Sequence, residues 1–100
     1  MSKQEKQQLS RAVAEKYRIS AWYIKVTYED RCEKLWLHND SAMCFDLLVD
    51  NEMNLAIDED AVSVNKFGKV KLLAFELFKD HPTKQEATRI AILKALLAKE

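Results

Sequence analysis

Two cysteines and two histidines are the residues of this chain that could hold a metal ion: Cys32, His38, Cys44 and His81. Structural zinc sites usually place their ligands in pairs, a few residues apart on one turn. Here each candidate ligand belongs to a different predicted element, so the spacing argues against a zinc site. We expect two buried thiols and two surface or capping histidines, and we predict no bound metal or cofactor.

A cysteine with a histidine is also the minimum for a thiol nucleophile. Cys44 lies between Met43 and Phe45, and apolar surroundings raise the pKa of a thiol and make it inert. The chain has no nucleophile elbow and no His-Glu-x-x-His motif, and its single glycine argues against a phosphate-binding loop. These features predict that the chain is not an enzyme. A small enzyme or metalloprotein is the third of three functional hypotheses.

Three consecutive carboxylates, Asp58, Glu59 and Asp60, could bind a cation or act as an acid and a base. A calcium-binding EF-hand loop also needs a glycine and a distal glutamate at fixed positions. No glycine accompanies these carboxylates. The sequence therefore favours a solvent-exposed turn.

The charges are segregated along the chain, although they sum to zero. Residues 1–34 carry a net charge of +3 and residues 66–100 one of +4, whereas residues 35–65 carry −7 and contain no Lys or Arg. Six acids of this middle segment are the candidate partner-binding residues: Asp46, Asp50, Glu52, Asp58, Glu59 and Asp60.

Several of these acids stand where a helix disfavours them. Asp46 and Asp50 are four residues apart, a spacing at which like charges repel by about 0.2–0.5 kcal/mol. Asp50 and Glu52 fall near the C-terminal end of a predicted helix, where the helix dipole disfavours anions. Two interpretations remain open. Lys and Arg from the flanking segments neutralise the acids within the monomer, or the acids are left for a basic partner.

The second functional hypothesis is a nucleic-acid-binding accessory protein that uses the basic N-terminal helix. The residues that would contact phosphates or stack on bases are Lys3, Lys6, Arg11, Arg18, Lys25, Trp22 and Tyr23. The pI of about 6.7 argues against a dedicated nucleic-acid binder. Trp22 and Trp36 are more simply interpreted as core anchors.

Apolar residues at helical spacing predict helices at about 4–17, 41–52 and 83–99. Alternating apolar and β-branched residues predict strands within 20–37 and 54–78. For 20–37 we favour a hairpin over a continuation of the first helix. The result is one α+β domain over residues 1–100, in which helices sandwich an antiparallel sheet of about three to five strands.

Particular residues fix parts of these elements. In the second helix, Phe45, Leu48 and Val49 are predicted on the apolar side, with Asp46 and Asp50 on the other.

Gly68 is the chain's only glycine and is predicted to adopt a positive φ in a turn. Thr83 with Glu86 three residues later has the spacing of a helix-capping box.

Residues 36–45 read Trp-Leu-His-Asn-Asp-Ser-Ala-Met-Cys-Phe, and residues 86–97 read Glu-Ala-Thr-Arg-Ile-Ala-Ile-Leu-Lys-Ala-Leu-Leu. With the strand-rich middle between them, roughly residues 35–99, the chain resembles the phage ABA sandwich domain family. The resemblance implies a helix–sheet–helix sandwich and a phage or prophage origin. It implies no activity and no catalytic residues.

Our leading functional hypothesis is therefore a phage or prophage protein–protein interaction module that acts on a host protein. An inhibitor of a host defence or nucleic-acid-binding complex, such as an anti-CRISPR protein, fits an acidic surface. No apolar run approaches the roughly 18 residues of a membrane-spanning helix, and the polar N-terminus is unlike a secretory signal. We expect a protein of the host cytoplasm that does not contact a membrane, and a homodimer through a strand edge or a helix face is an option.

Overall fold

The structure, a computed structural model, describes residues 1–19, 36–69 and 71–99. In chain order these residues form helix α1 (Lys3–Lys16), a 3₁₀ turn (Leu37–Asn39), helix α2 (Ser41–Asp50), strands β1 (Met53–Ile57), β2 (Ala61–Lys66) and β3 (Leu72–Leu77), a second 3₁₀ turn (Phe78–Asp80) and helix α3 (Lys84–Ala98). The strands form an antiparallel sheet in the order β1-β2-β3. The predicted α+β class, an antiparallel sheet packed with helices, is confirmed.

Helix α3 forms the centre of the fold. It packs on β2 and β3 and also contacts α1 and α2. Its buried residues are Glu86, Ala87, Ile90, Ala91, Ile92, Leu93, Ala95 and Leu96. Because these residues surround the helix axis instead of forming one stripe, α3 is a central helix covered on several sides.

The sheet has one buried face and one exposed face. Val62 and Val64 on β2 are fully buried, and Ala74 on β3 pairs with Val64. Phe75 follows Ala74, pairs with Ser63 and is 51% exposed. Successive residues of a strand lie on opposite faces, so Phe75 lies on the face away from α3.

Helix α1 has defined ends. Ser2 Oγ accepts the Glu5 N–H, and the Glu5 carboxylate accepts the Ser2 N–H in return, which is a capping box. At the other end, Arg18 adopts a φ of 52°, and Ile19 donates its N–H to the Ala14 carbonyl at 3.1 Å. This Schellman motif ends the helix and returns Ile19 to the core.

The predicted turn chemistry is present in the structure. Gly68 has a φ of 76°, the left-handed region that favours glycine. Thr83 Oγ1 accepts the Glu86 N–H at 3.0 Å at the start of α3. Glu86 does not complete a reciprocal cap, because its carboxylate pairs with Lys6 of α1.

The predicted hairpin at 20–37 lies mostly outside the described residues, which resume at Trp36. Leu37 begins a 3₁₀ turn, so the prediction of a strand reaching Leu37 is wrong. Trp36 is buried in the core, as its interpretation as a core anchor requires. The structure places Trp36 and Leu37 just before α2, where Asp40 Oδ1 accepts the Met43 N–H at 2.9 Å and begins that helix.

The predicted buried side of α2 is wrong in part. The core side consists of Cys44, Leu47 and Leu48, whereas Phe45 and Val49 are exposed. Residues 44, 47 and 48 share one face at helical spacing. Phe45 and Val49 each follow a residue of that face and are rotated by about 100° away from it. Packing against α3 and β1 selects this face.

Replacing Lys16 by Met is expected to lower the free energy of unfolding by about 1 kcal/mol. Lys16 Nζ donates to the carbonyls of Leu96 at 2.7 Å and Leu97 at 3.1 Å, and also to that of Lys99, so a cation caps the negative end of α3. Urea unfolding followed by circular dichroism measures the change. An equal loss in Lys79→Met, whose side chain is exposed, would show that the cap contributes nothing.

The Glu86 carboxylate makes stability depend on acid pH. Burial alone would raise the pKa of Glu86, but the hydrogen bond and charge of Lys6, with the nearby Arg89 charge, outweigh it and hold the pKa below 4.5. A carboxyl with a depressed folded-state pKa stabilises the protein above its unfolded pKa, and that contribution is lost as pH falls through the folded value. We expect Glu86→Gln to cost more unfolding free energy at pH 7 than at pH 3. Equal costs in urea titrations at the two pH values would contradict this.

Candidate functional site

The six candidate acids are all exposed and lie along the unit formed by α2, β1 and the following turn. Asp46 and Asp50 lie on α2, Glu52 follows that helix, and the other three form the β1–β2 turn at 58–60. Strand β1 has five residues, so Glu52 and Asp58 at its two ends are about 20 Å apart along the strand. The structure thus spreads the acids along one unit and does not gather them in one cluster.

Within the described ranges, none of the six carboxylates lies within 4.0 Å of a Lys or Arg nitrogen. The ion pairs found there join Lys6 to Glu86, and His81 and Lys94 to Glu76. Helix α2 has no basic residue in its last turn to offset Asp50. The six acids therefore have no ion-pair partner within 4.0 Å among the described residues.

The acids at 58–60 form the expected turn. Asp58 Oδ1 accepts the N–H groups of Asp60 and Ala61, each at 2.8 Å. A carboxylate that bonds its own backbone two or three residues on is a common turn device. Asp58 is thus partly occupied by the backbone, and Glu59 and Asp60 are the more open carboxylates of the turn.

Exposed apolar side chains accompany the acids. Phe45 is 59% exposed and Val49 is 56% exposed, one helical turn apart on α2, and Ile57 at the end of β1 is 61% exposed. Phe67, Leu72 and Phe75 are similarly exposed elsewhere on the chain, so what distinguishes Phe45 and Val49 is that they alternate with acids on one helix. We call Phe45, Asp46, Val49, Asp50, Ile57 and the turn 58–60 the α2 surface.

A cavity of about 430 Å³ lies beside the α2 surface, between α2, β1 and the first half of α3. Its apolar lining consists of Cys44, Phe45, Leu55, Ile57, Phe78 and Ile92. Its polar lining consists of Ser41, Lys84, Gln85, Thr88 and Arg89. None of the six candidate acids lines this cavity.

Two cations of α3 border the cavity. Arg89 donates from Nε to the His38 carbonyl at 2.7 Å and from Nη1 to Ser41 Oγ at 2.9 Å. Lys84 Nζ lies 5.4 Å from the centroid of the Phe78 ring, within cation–π range. Arg89 is therefore fixed by hydrogen bonds, and Lys84 lies over the apolar wall.

The thiol of Cys44 is buried, as expected for this residue. Its Sγ donates to the Leu37 carbonyl at 3.1 Å, and burial raises its pKa to about 12. Cys32 lies outside the described residues.

We expect Cys44 to resist Ellman's reagent at pH 8 in a Cys32→Ser background until denaturant is added. A buried thiol without thiolate character does not attack a disulfide, so the reaction should follow global or local unfolding. Release of one equivalent of thionitrobenzoate from the native protein within seconds would contradict the burial of this thiol.

Neither histidine side chain is at the surface, but His81 is the C-cap residue of the second 3₁₀ turn. Of the predicted surface or capping histidines, the surface alternative is wrong. His38 is buried, and its Nδ1 lies 2.7 Å from Ser10 Oγ. The His81 side chain is 2% exposed, and its Nε2 lies 3.0 Å from Glu76 Oε1. Both rings enter the interior because a polar partner from another element meets them there.

The pair formed by Ser10 and His38 was not predicted from the sequence. Ser10 Oγ also accepts the His38 backbone N–H at 3.1 Å and is fully buried on α1. These two contacts join α1 to the segment before α2. The two residues are 28 positions apart, and the one sequence signal is a serine within the apolar face of α1.

The basic residues of the N-terminal helix are partly engaged within the fold. Lys6 pairs with Glu86, and Lys16 caps α3. Arg18 occupies the left-handed position after α1. Lys25 and the aromatic residues Trp22 and Tyr23 lie outside the described residues. The described part of this helix therefore does not present an unbroken basic stripe.

The described residues, 1–19, 36–69 and 71–99, show neither a metal-ligand cluster nor a membrane-spanning helix. No group of three or more His, Cys, Asp or Glu side chains in those ranges is arranged to hold a metal ion. Among the helices given above, none combines the length and the apolar character needed to cross a membrane. Comparison of the chain with protein-family models, curated proteins and solved structures gives no match.

Proposed function

We propose that this chain is a protein–protein interaction module that binds a basic, amphipathic segment of another protein on the α2 surface. The observation that carries the proposal is the alternation of exposed apolar and uncompensated acidic side chains on one helix face. Phe45 and Val49 supply apolar contacts, and Asp46 and Asp50 stand beside them. A helix that carries Lys or Arg around an apolar stripe is complementary to this surface.

The arrangement is costly to the isolated chain, which supports a role in binding. Asp46 and Asp50 repel each other at i, i+4, and Asp50 lies at the negative end of α2. The exposed side chains of Phe45 and Val49 place apolar surface in contact with water, and burying that surface against a partner would be favourable. A basic amphipathic partner relieves both costs at once, whereas an intramolecular salt bridge would relieve only the first.

We further propose that the chain is a phage or prophage product and that its partner is a protein of the bacterial host. This part rests on the resemblance of residues 36–45 and 86–97 to the phage ABA sandwich family. Host proteins that bind nucleic acid carry basic surfaces, so an inhibitor of such a protein, including a defence complex, suits an acidic contact face.

The test is affinity capture from a bacterial lysate with three tagged baits: the natural chain, Phe45→Asp and Phe75→Asp. Both substitutions replace an exposed phenylalanine by aspartate, but Phe75 lies on the exposed face of the sheet. We expect a host protein to be retained by the natural chain and by Phe75→Asp. Loss of a central aromatic contact typically costs 2 kcal/mol or more, which is roughly a 30-fold weakening. Retention by Phe45→Asp, or no specific protein on any bait, would overturn the proposal.

A further inference from the structure

The cavity beside the α2 surface has a charge opposite to that of its surroundings. Lys84 and Arg89 are the charged residues among its lining residues, which include no Asp or Glu. Residues 46–60, which include the rest of α2 and strand β1, contain acids but no Lys or Arg. A basic segment that suits the α2 surface therefore does not suit the cavity, and the two features call for different occupants.

The interior of the cavity is apolar and of ligand size. Phe78 and Ile92 form part of its wall with Leu55, and about 430 Å³ lies within the range of small-molecule sites. Most of a ligand that fills it would contact hydrocarbon, with the transfer of each methylene worth about 0.8 kcal/mol. The body of the ligand is thus expected to be an alkyl chain or a similar hydrocarbon.

The charged residues at the rim of the cavity indicate which head group a ligand would carry. Two of the five N–H groups that an arginine carries are used in the bonds from Arg89 to His38 and Ser41, and these bonds hold the guanidinium in place. Lys84 has no carboxylate within 4.0 Å among the described residues. Because Lys84 and Arg89 both line the cavity, its rim is suited to a carboxylate, which accepts charge-assisted hydrogen bonds from cations.

We infer that the cavity binds a small amphiphile of the fatty-acid class, with its hydrocarbon body on Phe78 and Ile92 and its carboxylate between Lys84 and Arg89. This inference goes beyond the proposed function, because it concerns a small ligand and does not require the protein partner. The cavity shares Phe45 and Ile57 with the α2 surface, but Lys84 and Arg89 are not part of that surface. Substitutions at these two cations therefore test the ligand separately from the protein partner.

Isothermal titration calorimetry with three ligands of one chain length tests the inference. Decanoate, decan-1-ol and decyltrimethylammonium share the hydrocarbon body and differ in head-group charge. We expect decanoate to bind with a Kd below about 1 mM and at least 10-fold more tightly than decyltrimethylammonium, with decan-1-ol between them. Equal affinities for decanoate and the cationic ligand, or no heat with decanoate at about 1 mM, would overturn the inference.

A pair of lysine variants then tests whether the carboxylate of decanoate lies beside Lys84. Lys84→Gln should weaken decanoate by about 5- to 10-fold and leave decan-1-ol unchanged, whereas Lys79→Gln, an exposed lysine in the adjoining turn, should change neither. Methyl signals of Ile92 should shift on titration, and those of the exposed Leu72 on β3 should not. Unchanged decanoate affinity in Lys84→Gln, or shifts confined to Leu72, would count against the site.

Discussion

The double substitution Asp46→Lys/Asp50→Lys is expected to weaken binding of the host protein by at least about 30-fold while leaving the fold intact. Each reversal turns an attraction for a basic partner into a repulsion, and two such changes amount to roughly 2 kcal/mol or more after solvent screening. Both side chains are exposed, and lysines suit the C-terminal end of α2. The unfolding free energy should therefore change by less than about 0.5 kcal/mol.

Two controls separate contact from net charge. Asp46→Asn/Asp50→Asn removes the attraction without adding repulsion and should give an intermediate affinity. Glu15→Lys reverses an exposed acid on α1, away from the α2 surface, and should leave the affinity unchanged. Titration calorimetry with the captured partner gives all the constants. Full affinity in the Asp46→Lys/Asp50→Lys protein would mean that these acids do not contact the partner.

Leu93→Ala is expected to cost about 3–4 kcal/mol of unfolding free energy, the largest effect on stability among the substitutions considered. Leu93 is fully buried in α3, the helix that contacts the sheet and both other helices. Leu→Ala at such positions costs 2–5 kcal/mol, through lost transfer free energy and the cavity left behind. A domain of this size has only about 5–15 kcal/mol in total, so the variant should be close to unfolding at 37 °C.

The matched control is Leu97→Ala, one helical turn later and partly exposed. Alanine is the best helix former, so neither change weakens the helix itself, and the control should lose less than about 1 kcal/mol. Urea unfolding followed by circular dichroism measures both, with a constant slope as the check on two-state behaviour. Similar losses in the two variants would contradict the central position of α3.

Much of the fold follows from local patterns in the sequence. The capping threonine, Thr83, stands directly before α3, and Gly68 marks the turn between β2 and β3. Alternation at Val62 and Val64 identifies a half-buried strand. These signals depend on residues within a few positions of one another, and for that reason they can be interpreted without knowing the tertiary contacts.

The face of α2 could not be predicted from the same kind of signal. Cys44, Phe45, Leu47, Leu48 and Val49 are all apolar, so the helical pattern fits more than one buried face. Contacts with α3 and β1 decide between these faces. The exposure of Phe45 and Val49, on which the proposed function rests, is therefore a property of the tertiary structure.

Polar contacts between residues far apart in the sequence could not be predicted either. His38 meets Ser10 across 28 positions, and Lys16 caps α3 about 80 positions away. The expectation of surface or capping histidines rested on the average polarity of histidine, which does not reveal a buried hydrogen-bond partner. The acids of the candidate site were found from composition alone, since a segment with no Lys or Arg is visible in the sequence.

The most direct test of the account is photo-crosslinking with benzoylphenylalanine placed at position 45 or at position 75 of the chain produced in bacterial cells. Both positions hold exposed phenylalanines on different surfaces, so the probe itself should not disturb the core. We expect a crosslinked host protein from position 45, absent when Asp46 and Asp50 are reversed to lysine, and no such product from position 75. A product from position 75 alone, or none from position 45, would contradict the α2 surface as the contact face.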